Sequence, residues 1–552
     1  MPAATPDRPA AAAPAPRRAR ALAALTLGLY AAVAAAGTWF LFQPTLASGF
    51  SLLQPDPGDS LLNDYLLEHE LRVIERPDHL GTFWSPPFFH PARNVLAYSE
   101  NLMGMLPVYA LLRLRWDPVV SYQLLLILLC LADYLAMLLV LRRLGVGPPL
   151  AALGAFVFAF GAARGAQVSH IQLFAVFYAP LALWALWRLL AAPSRGRLAL
   201  FLLLLYLQLL SGIYMGWFLL LALALLVPLL LSWDRDGRRR VAAFCRDAPL
   251  FVPLAAAVWA AASYLTLRPY LAASAELGAR PWADVQLFLP RLRSWFTSPP
   301  GSPYHEWLGG FPPGARVVWE HYLFPGLVPL ALGIVSAVYT LRLSRDERRR
   351  QALLVACWMA ALLLVAISLS LPRLGVEGLH LVRRYPGASL WWFVFRWVPG
   401  AQAIRAVGRI SVLVYLLAVV AACWGADAAI HRSRLRPAVR TALLAALLLA
   451  GVAEQRAASP PAFEKARFFR HVAAVRAGIP PGCRMLYLTT KPGESYLVTQ
   501  LVAMWAGLDA HLPVVNGYSG NAPPRYPQGL RTWSAGELAA WSGDDPCVVA
   551  EP

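Results

Sequence analysis

Long apolar runs with few charged residues recur along the whole chain, and they constrain its fold more than any other feature. The first follows Arg17, Arg18 and Arg20 and extends from Ala21 to Phe42. About 22 residues of helix, at 1.5 Å per residue, cross a hydrocarbon core roughly 30 Å thick. Ten further runs are predicted to span a membrane: 119–141, 148–163, 172–191, 198–213, 214–232, 249–267, 323–341, 352–371, 409–430 and 438–454.

The first run has two interpretations. Ala34 and Ala36 form a small-x-small pattern that a signal peptidase could cleave. The run nevertheless continues through Trp39, Phe40 and Phe42, so it is longer than the apolar core of a typical signal peptide. We therefore favour an uncleaved anchor, and we predict a mainly α, polytopic membrane helix bundle of about eleven transmembrane helices.

The composition agrees with a membrane protein. Hydrophobic residues make up 58% of the 552 residues and charged ones only 14%, whereas soluble domains carry about 25% charged residues. This argues against a soluble multidomain enzyme. The net charge is +19, but the arginines lie between apolar runs rather than on one compact basic domain, so they do not indicate nucleic-acid binding.

The arginines predict the topology. If the spans alternate from a cytoplasmic N-terminus, the short arginine-rich connections all fall inside. The long connections 43–118, 268–322 and 372–408 then lie outside with the C-terminus. We predict a multi-pass protein of a bacterial inner membrane, with a disordered cytoplasmic tail over 1–20, a transmembrane domain over 21–455 and an extracytoplasmic domain over 456–552.

The C-terminal segment has the pattern of a small α/β domain. Residues 485–489 predict a strand, 496–508 an amphipathic helix and 516–520 a turn. Cys483 and Cys547 both fall in this segment, and an extracytoplasmic location permits a disulfide between them. Their separation in space decides whether the bond forms, and the sequence leaves it open.

The first long connection carries carboxylates near its start. Asp56-Pro-Gly-Asp59 is typical of a turn, and Asp59 would cap the following helix by accepting backbone N–H groups. Asp64 and Glu68 are four residues apart on one face of that helix, next to His69. Stacked carboxylates repel, so at least one should have a raised pKa or a basic partner. A catalytic or metal-binding site and a solvated, capped helix both fit this pattern.

Basic residues on the predicted outer side need a reason, because positive charge is normally retained inside. Arg405 and Arg409 are four residues apart and project from one helical face at the membrane edge, where two guanidiniums suit a phosphate or diphosphate. Lipid headgroups and nearby acids are the alternative partners. The other candidate binding residues on this side are Arg383, Arg384, Glu320, His321 and His170.

Several short motifs occur in an order that resembles the GT-C class of integral-membrane glycosyltransferases. They are Gly58-Asp59, Phe89-His-Pro-Ala-Arg-Asn94, Leu141-Arg-Arg-Leu144, Ser169-His170-Ile-Gln172, Pro399-Gly400 followed by Arg405 and Arg409, and Asn516-Gly-Tyr-Ser-Gly520. The last motif looks like the outer tail of bacterial proteins of this kind. The resemblance implies transfer of a sugar from a polyprenyl-phosphate or polyprenyl-diphosphate donor on the outer side of the membrane.

The resemblance also implies roles for three acids. Asp59 matches the first-loop acid and would be the general base that deprotonates the acceptor, with Asp64 or Glu68 as a metal ligand or substitute. The chain departs from the family pattern by lacking an Asp-x-Asp pair, since Asp56 and Asp59 are three residues apart. A divalent Mg²⁺ or Mn²⁺ cofactor is therefore left open.

The predicted function is a membrane glycosyltransferase that moves a sugar from a polyprenyl-linked donor to a saccharide, lipid or protein acceptor of the cell envelope. A transporter or flippase of lipid-linked saccharides stays open, although it should place ionisable residues at mid-membrane, where only Asp133 lies well inside a span. A non-catalytic assembly subunit would make the outer acids dispensable. Convergence of Asp59, Glu320, Arg405 and Arg409 on one cavity would favour the enzyme.

Overall fold

The computed structural model confirms the mainly α fold. It describes residues 16–54, 56–76, 78–308, 319–343, 347–370, 389–458, 461–491, 493, 495–527, 533–543 and 546–550. Eight helices in these ranges are long and apolar enough to cross a membrane: Ala19–Ala47, Pro118–Arg143, Pro148–Gly165, Ile171–Ala191, Ile213–Trp233, Phe251–Leu277, Arg349–Ser368 and Val407–Arg432.

The remaining three predicted spans also correspond to helices, although each is shorter. Leu327–Leu341 and Pro437–Ala453 are apolar helices of fewer than 18 residues. Arg195–Ser211 has 17 residues and begins with two arginines. Whether these three cross a bilayer stays a prediction.

The helices and strands have the following bounds. The α-helices are α1 (Pro16–Ala47), α2 (Asp59–Glu75), α3 (Leu106–Arg113), α4 (Pro118–Arg143), α5 (Pro148–Phe160), α6 (Ala162–Gly165), α7 (Tyr178–Ala191), α8 (Arg195–Ser211), α9 (Ile213–Trp233), α10 (Arg235–Asp247), α11 (Phe251–Leu277), α12 (Trp282–Leu287), α13 (His305–Leu308), α14 (Leu327–Leu341), α15 (Arg348–Ser368), α16 (Leu390–Trp397), α17 (Ser411–Arg432), α18 (Pro437–Ala453), α19 (Lys465–Ala477), α20 (Tyr496–Ala510) and α21 (Ala535–Ser542). The strands are β1 (Leu52–Leu53), β2 (Phe463–Glu464), β3 (Leu486–Thr489) and β4 (Cys547–Ala550).

The N-terminus differs from the prediction of a disordered tail over 1–20. Residues 16–20 are helical and begin α1, because Pro16 suits the first turn of a helix and arginine and alanine are good helix formers. Residues 1–15 lie outside the described residues.

Helix α17 forms the centre of the bundle and is buried along almost its whole length. It packs against α14, α15 and α5. Gly425 allows the close approach to α14, because a side chain there would collide with Ser336, whose hydroxyl donates to Ala421 O at 2.7 Å. Small residues commonly let helices approach closely in membranes. Most of the surface of α1 and α11 is exposed, as expected for helices that face lipid.

The predicted outer connections contact one another at one end of the bundle. Asn94 donates to Pro269 O at 2.7 Å, and Tyr304 donates to Glu454 at 2.7 Å. The predicted inner connections likewise contact one another, as in the ion pair between Arg432 and Glu347 at 2.6 Å. This grouping is what an alternating topology requires.

The C-terminal segment is built onto the first long connection. Strand β3 pairs in parallel with β4, and β1 pairs with β2 in antiparallel fashion. Helix α20 packs on α2, where Trp505 donates to Leu61 O at 3.3 Å. Cys483 and Cys547 form a disulfide with 5.9 Å between their Cα atoms, so the structure settles the pairing that the sequence left open. The domain boundary near 456 stays a prediction.

Candidate active site

Asp59 is the first residue of α2, and its position follows from a local turn. Asp56 Oδ1 accepts from the Gly58 N–H at 2.7 Å, which is the predicted turn. The capping position belongs to Gly58, so the expectation that Asp59 caps the helix is wrong. The Asp59 carboxylate instead accepts from Tyr518 Oη at 2.8 Å, and Asp59 Oδ2 lies 3.2 Å from His170 Nε2.

These two donors fix the charge of Asp59. Burial raises the pKa of the carboxyl, but the bonds from His170 and Tyr518 and the positive charge of Arg409 outweigh it, so the net pKa falls to about 2. The N-terminal end of a helix also favours a negative charge. The side chain is 32% exposed, and each of its oxygens keeps a lone pair for a further donor. Asp59 is therefore an accessible, permanently ionised carboxylate.

His170 connects Asp59 to a second acid. Because His170 Nε2 faces a carboxylate, this nitrogen carries the proton and donates to Asp59. The ring lies 6.1 Å from that of Trp319, and the adjacent Glu320 pairs with Arg409 at 3.3 Å. Glu320 is buried, and its Oε2 has no partner among the described residues.

Tyr214, at the start of α9, joins the two predicted phosphate-binding arginines. Its hydroxyl accepts from the Arg405 backbone N–H at 2.7 Å, and the Arg409 guanidinium lies 5.5 Å from the centre of its ring. The Arg405 guanidinium lies over Phe288 at 5.1 Å. Contacts thus connect Asp59, His170, Glu320, Arg409 and Arg405 into one group, while Arg383 and Arg384 lie outside the described residues.

The enclosed space beside this group is small. A cavity of about 10 Å³, enough for a water molecule, lies between Arg164, Gln167 and Arg409. A sugar cannot enter it. A substrate would therefore bind on the partly exposed side, where Asp59 and Arg405 reach the surface.

Asp64 and Glu68 belong to a different site. At 3.6 residues per turn they lie about 140° and 180° around α2 from Asp59. Tyr109 Oη is within bonding distance of both, at 2.9 Å from Asp64 and 3.1 Å from Glu68. Glu68 also pairs with Arg72 at 2.9 Å and Arg113 at 2.8 Å. The structure does not bring either acid to Asp59 as a metal ligand or substitute.

Both outcomes expected of stacked carboxylates occur here. Burial and the neighbouring charge of Glu68 raise the pKa of Asp64 well above its usual range. Burial also raises the pKa of Glu68, but Arg113 and Arg72 outweigh it and the net pKa is lowered. The surroundings of Asp64 therefore favour its protonated form, and the two arginines favour the ionised form of Glu68.

His321 is held within the protein rather than presented to a substrate. It lies 2.9 Å from Ser294 Oγ through Nδ1 and 3.0 Å from Leu287 O through Nε2, so both ring nitrogens are occupied. Burial lowers its pKa to about 4, which keeps the ring neutral. It fixes the position of the adjacent Glu320.

A divalent metal site is not assembled by the described residues. No three His, Cys, Asp or Glu side chains in these ranges are grouped so that they could hold a metal ion. Asp59 and His170 supply two groups. We therefore derive no step through a metal.

Several contributors to the two sites, Arg72 among them, were missed by the sequence reasoning. Tyr518 lies in the 516–520 turn, whose pattern predicts a turn but no contact with Asp59. Tyr214, Tyr109 and Arg113 lie in or beside apolar helices, where an aromatic or basic residue is unremarkable. Contacts such as Tyr518 with Asp59 join residues 459 positions apart, and sequence spacing carries no signal for them.

No protein-family model and no curated protein matches this chain. Two solved structures of the Archaeoglobus fulgidus oligosaccharyltransferase match it, one tethered by a disulfide to an acceptor peptide containing the NVT sequon and one in the apo form. Their identities are 12% and 13%, both TM-scores are 0.42, and each match covers 89% of this chain and 64% of that protein. The chain thus spans less than two thirds of the oligosaccharyltransferase, and likeness at this level identifies no substrate.

Proposed function

We propose that the chain is a membrane glycosyltransferase that moves a sugar from a polyprenyl-phosphate or polyprenyl-diphosphate donor to an envelope acceptor. The observation that carries the proposal is the ionised, partly exposed Asp59 in one contact group with Arg405 and Arg409. Glycosyl transfer needs a carboxylate at the acceptor and positive charge at the leaving phosphate. This group supplies both, and it is the pairing that the resemblance to the GT-C class implies.

Asp59 would act on the acceptor. One free lone pair of the carboxylate accepts a hydrogen bond from the hydroxyl of the sugar acceptor, while the oxygen of that hydroxyl attacks the anomeric carbon. The bond from that carbon to the phosphate oxygen breaks, and the lipid phosphate leaves with the electron pair. A pKa of about 2 makes Asp59 a weak base for a resting hydroxyl, so it takes the proton only as the new bond makes that hydroxyl acidic. Its fixed charge also stabilises positive charge that develops on the sugar.

The arginines would act on the leaving group. The planar guanidinium of Arg405 is held over Phe288, and Arg409 is held by Glu320 and Tyr214, so both donors are oriented before the lipid binds. Preorganised donors are worth more than mobile ones because they need no reorganisation during the reaction. Their charge would stabilise the phosphate both in the bound donor and as it departs.

We place this group on the outer side of a bacterial inner membrane, with the N-terminus inside and the C-terminus outside. The one-sided distribution of short arginine-rich connections supports this orientation. The bond between Cys483 and Cys547 supports it independently, because disulfides persist in oxidising compartments.

The test compares Asp59→Asn with Asp64→Asn, the same substitution on two faces of one helix. Each protein is reconstituted in membranes with a panel of labelled polyprenyl-phosphate and polyprenyl-diphosphate sugars, and both transfer and donor binding are measured. Asp59→Asn keeps the shape but loses the proton acceptor, so turnover should fall by about 10² to 10⁴ while donor binding is largely kept. Asp64→Asn should transfer almost normally, since Asp64 lies on a different face of α2 from Asp59 and bonds to Tyr109.

Full transfer by Asp59→Asn would reject Asp59 as the acceptor-side carboxylate. Loss of transfer in Asp64→Asn alone, with a folded protein, would move the site to the other face of α2. A wild type that binds lipid-linked sugars but transfers none would favour a flippase or an assembly subunit.

A further inference from the structure

Asp133, the acid that the sequence places well inside a span, is paired with Arg164. Arg164 Nη2 donates to Asp133 Oδ2 at 2.6 Å, and the Val176 N–H donates to Asp133 Oδ1 at 3.2 Å. The Arg164 guanidinium also lies 4.6 Å from the centre of the Phe174 ring. Both oxygens of Asp133 are thus engaged. Two nitrogens of Arg164, Nε and Nη1, are buried and have no hydrogen-bond partner among the described residues.

Arg164 shares a small cavity with Arg409. The cavity has a volume of about 10 Å³, and Gln167 also lines it. Gln167 Oε1 and Arg409 Nε are likewise buried, with no hydrogen-bond partner in the part of the chain that the structure describes. Four such atoms therefore belong to three residues around one space. Buried donors and acceptors are costly unless they are satisfied, so this arrangement favours a small polar ligand in the cavity.

The mixture of donors and acceptor indicates that the ligand is water. The arginine atoms are N–H donors, whereas Gln167 Oε1 is an acceptor. A water oxygen accepts from one nitrogen of each arginine while a water hydrogen donates to Gln167. A halide ion accepts only, so it would leave Gln167 Oε1 unsatisfied. Asp133 and Glu320 already offset the charges of the two arginines, and a cavity of about 10 Å³ has room for about one water.

Gln167 connects this cavity to the partners of both Asp59 and Arg409. Its Nε2 donates to Trp319 O at 3.2 Å, and the next residue, Glu320, pairs with Arg409. Its backbone O accepts from the His170 N–H at 2.9 Å. A ligand held by Gln167 is therefore attached to the framework of the candidate site.

We propose that an ordered water molecule in this cavity joins Arg164 to Arg409, and that Arg164 is a positioning residue for the donor phosphate. Glu320 already holds Nη2 of Arg409, and the guanidinium lies against Tyr214. A water bonded to Nε fixes the same guanidinium from a further side before the lipid binds. The water site stands without the proposed function, whereas the role of Arg164 rests on it.

Diffraction tests the water site directly. Crystals of the full chain are grown in sodium chloride and in sodium bromide, at a resolution where ordered waters are visible elsewhere in the protein. We expect a water-sized peak at about 2.6 to 3.2 Å from nitrogens of Arg164 and Arg409 and from Gln167 Oε1. We expect no anomalous signal from bromide there. A cavity without a peak, or with a bromide signal, would overturn the proposal.

A double-mutant cycle tests the role of Arg164. Affinity for farnesyl phosphate, a short-chain probe of the phosphate site, is measured for the full chain in detergent. Arg164→Lys keeps a charge opposite Asp133 but loses the planar fork, so affinity should fall about 5-fold, the loss of about one hydrogen bond. In an Arg409→Gln background the same change should cost less than about 2-fold, because Arg164 acts through Arg409.

Arg72→Lys is the matched control, because Arg72 is also mostly buried and paired with a carboxylate, Glu68, but does not line the cavity. It should leave the affinity unchanged. Equal losses from Arg164→Lys with and without Arg409 would reject the positioning role. If Arg164→Lys does not fold, the density of the wild type decides the proposal. Normal phosphate binding without the water peak would refute this inference alone. A water peak in a wild type that binds no farnesyl phosphate would refute the phosphate-binding roles of Arg409 and Arg164 and support the water site.

Discussion

The first residue and the middle of one helix hold their carboxylates in opposite ways. In the middle of α2, Glu68 is 3% exposed and is surrounded by Arg72, Arg113 and Tyr109. At the first residue, Asp59 is 32% exposed, and His170 and Tyr518 each contact one of its oxygens. Helical spacing draws attention to Glu68, which has a partner acid in register, whereas the resemblance alone selects Asp59. The contacts support Asp59 as the acid that is accessible to a substrate.

The two carboxylates differ in how many further hydrogen bonds they can accept. A carboxylate accepts about four hydrogen bonds, and Glu68 receives its full complement from three neighbours on two helices. Asp59 receives two and keeps two. A saturated acid holds the fold together, whereas an ionised acid with free lone pairs at the surface can bind a substrate. Three predictions test whether this distinction is real.

The largest effect is expected for Glu68→Gln. This change leaves Arg113 with a neutral partner and Arg72 with Asp509 as its remaining carboxylate, and breaking such a partly buried network costs about 3 kcal/mol. The loss of stability is measured as the fraction of protein that stays monodisperse after heating in detergent. Transfer per folded molecule should be unchanged.

Glu68→Gln with normal heat resistance would show that the network contributes little. A folded Glu68→Gln protein without transfer would place Glu68 in the chemistry and remove the distinction between Asp59 and Glu68.

An intermediate effect is expected from a matched pair of tyrosines. Tyr109→Phe removes the hydroxyl that Asp64 and Glu68 share, and should cost about 1 to 3 kcal/mol of stability with little loss of transfer. Tyr518→Phe removes one donor from Asp59, and should lower turnover several-fold at a smaller cost in stability. Heat resistance and transfer are measured on both variants. The same pattern of losses in both would mean that the two acids do not differ in role.

The sequence predicts the parts of this molecule that depend on local pattern. Apolar runs locate helices at all eleven predicted spans, and the 485–489 and 496–508 patterns locate β3 and α20. Helical spacing also predicts that Asp64 and Glu68 lie on other faces of α2 than Asp59, because they follow it by five and nine residues. The sequence could not assign Tyr518 and Tyr214 to the site, because their contacts with Asp59 and Arg405 join segments far apart in the chain.

The smallest effect is expected in the dependence of turnover on pH. The folded pKa of Asp59 is about 2, below its ordinary value of 3.8, so its ionised form stabilises the fold above about pH 4 and that contribution is lost only as the pH falls towards 2. Asp64 has the opposite sign, since its raised pKa makes ionisation at higher pH unfavourable to the fold. Turnover measured from about pH 4.5 to 7 should therefore show no acid limb from Asp59. In Tyr518→Phe, burial is opposed by one donor fewer, so the pKa of Asp59 rises and the limb moves towards the measurable range. The contrary result is an acid limb in the wild type that is absent from the residual activity of Asp59→Asn. It would show that Asp59 titrates within the measured range, and the assignment of Asp59 as an ionised carboxylate would be wrong.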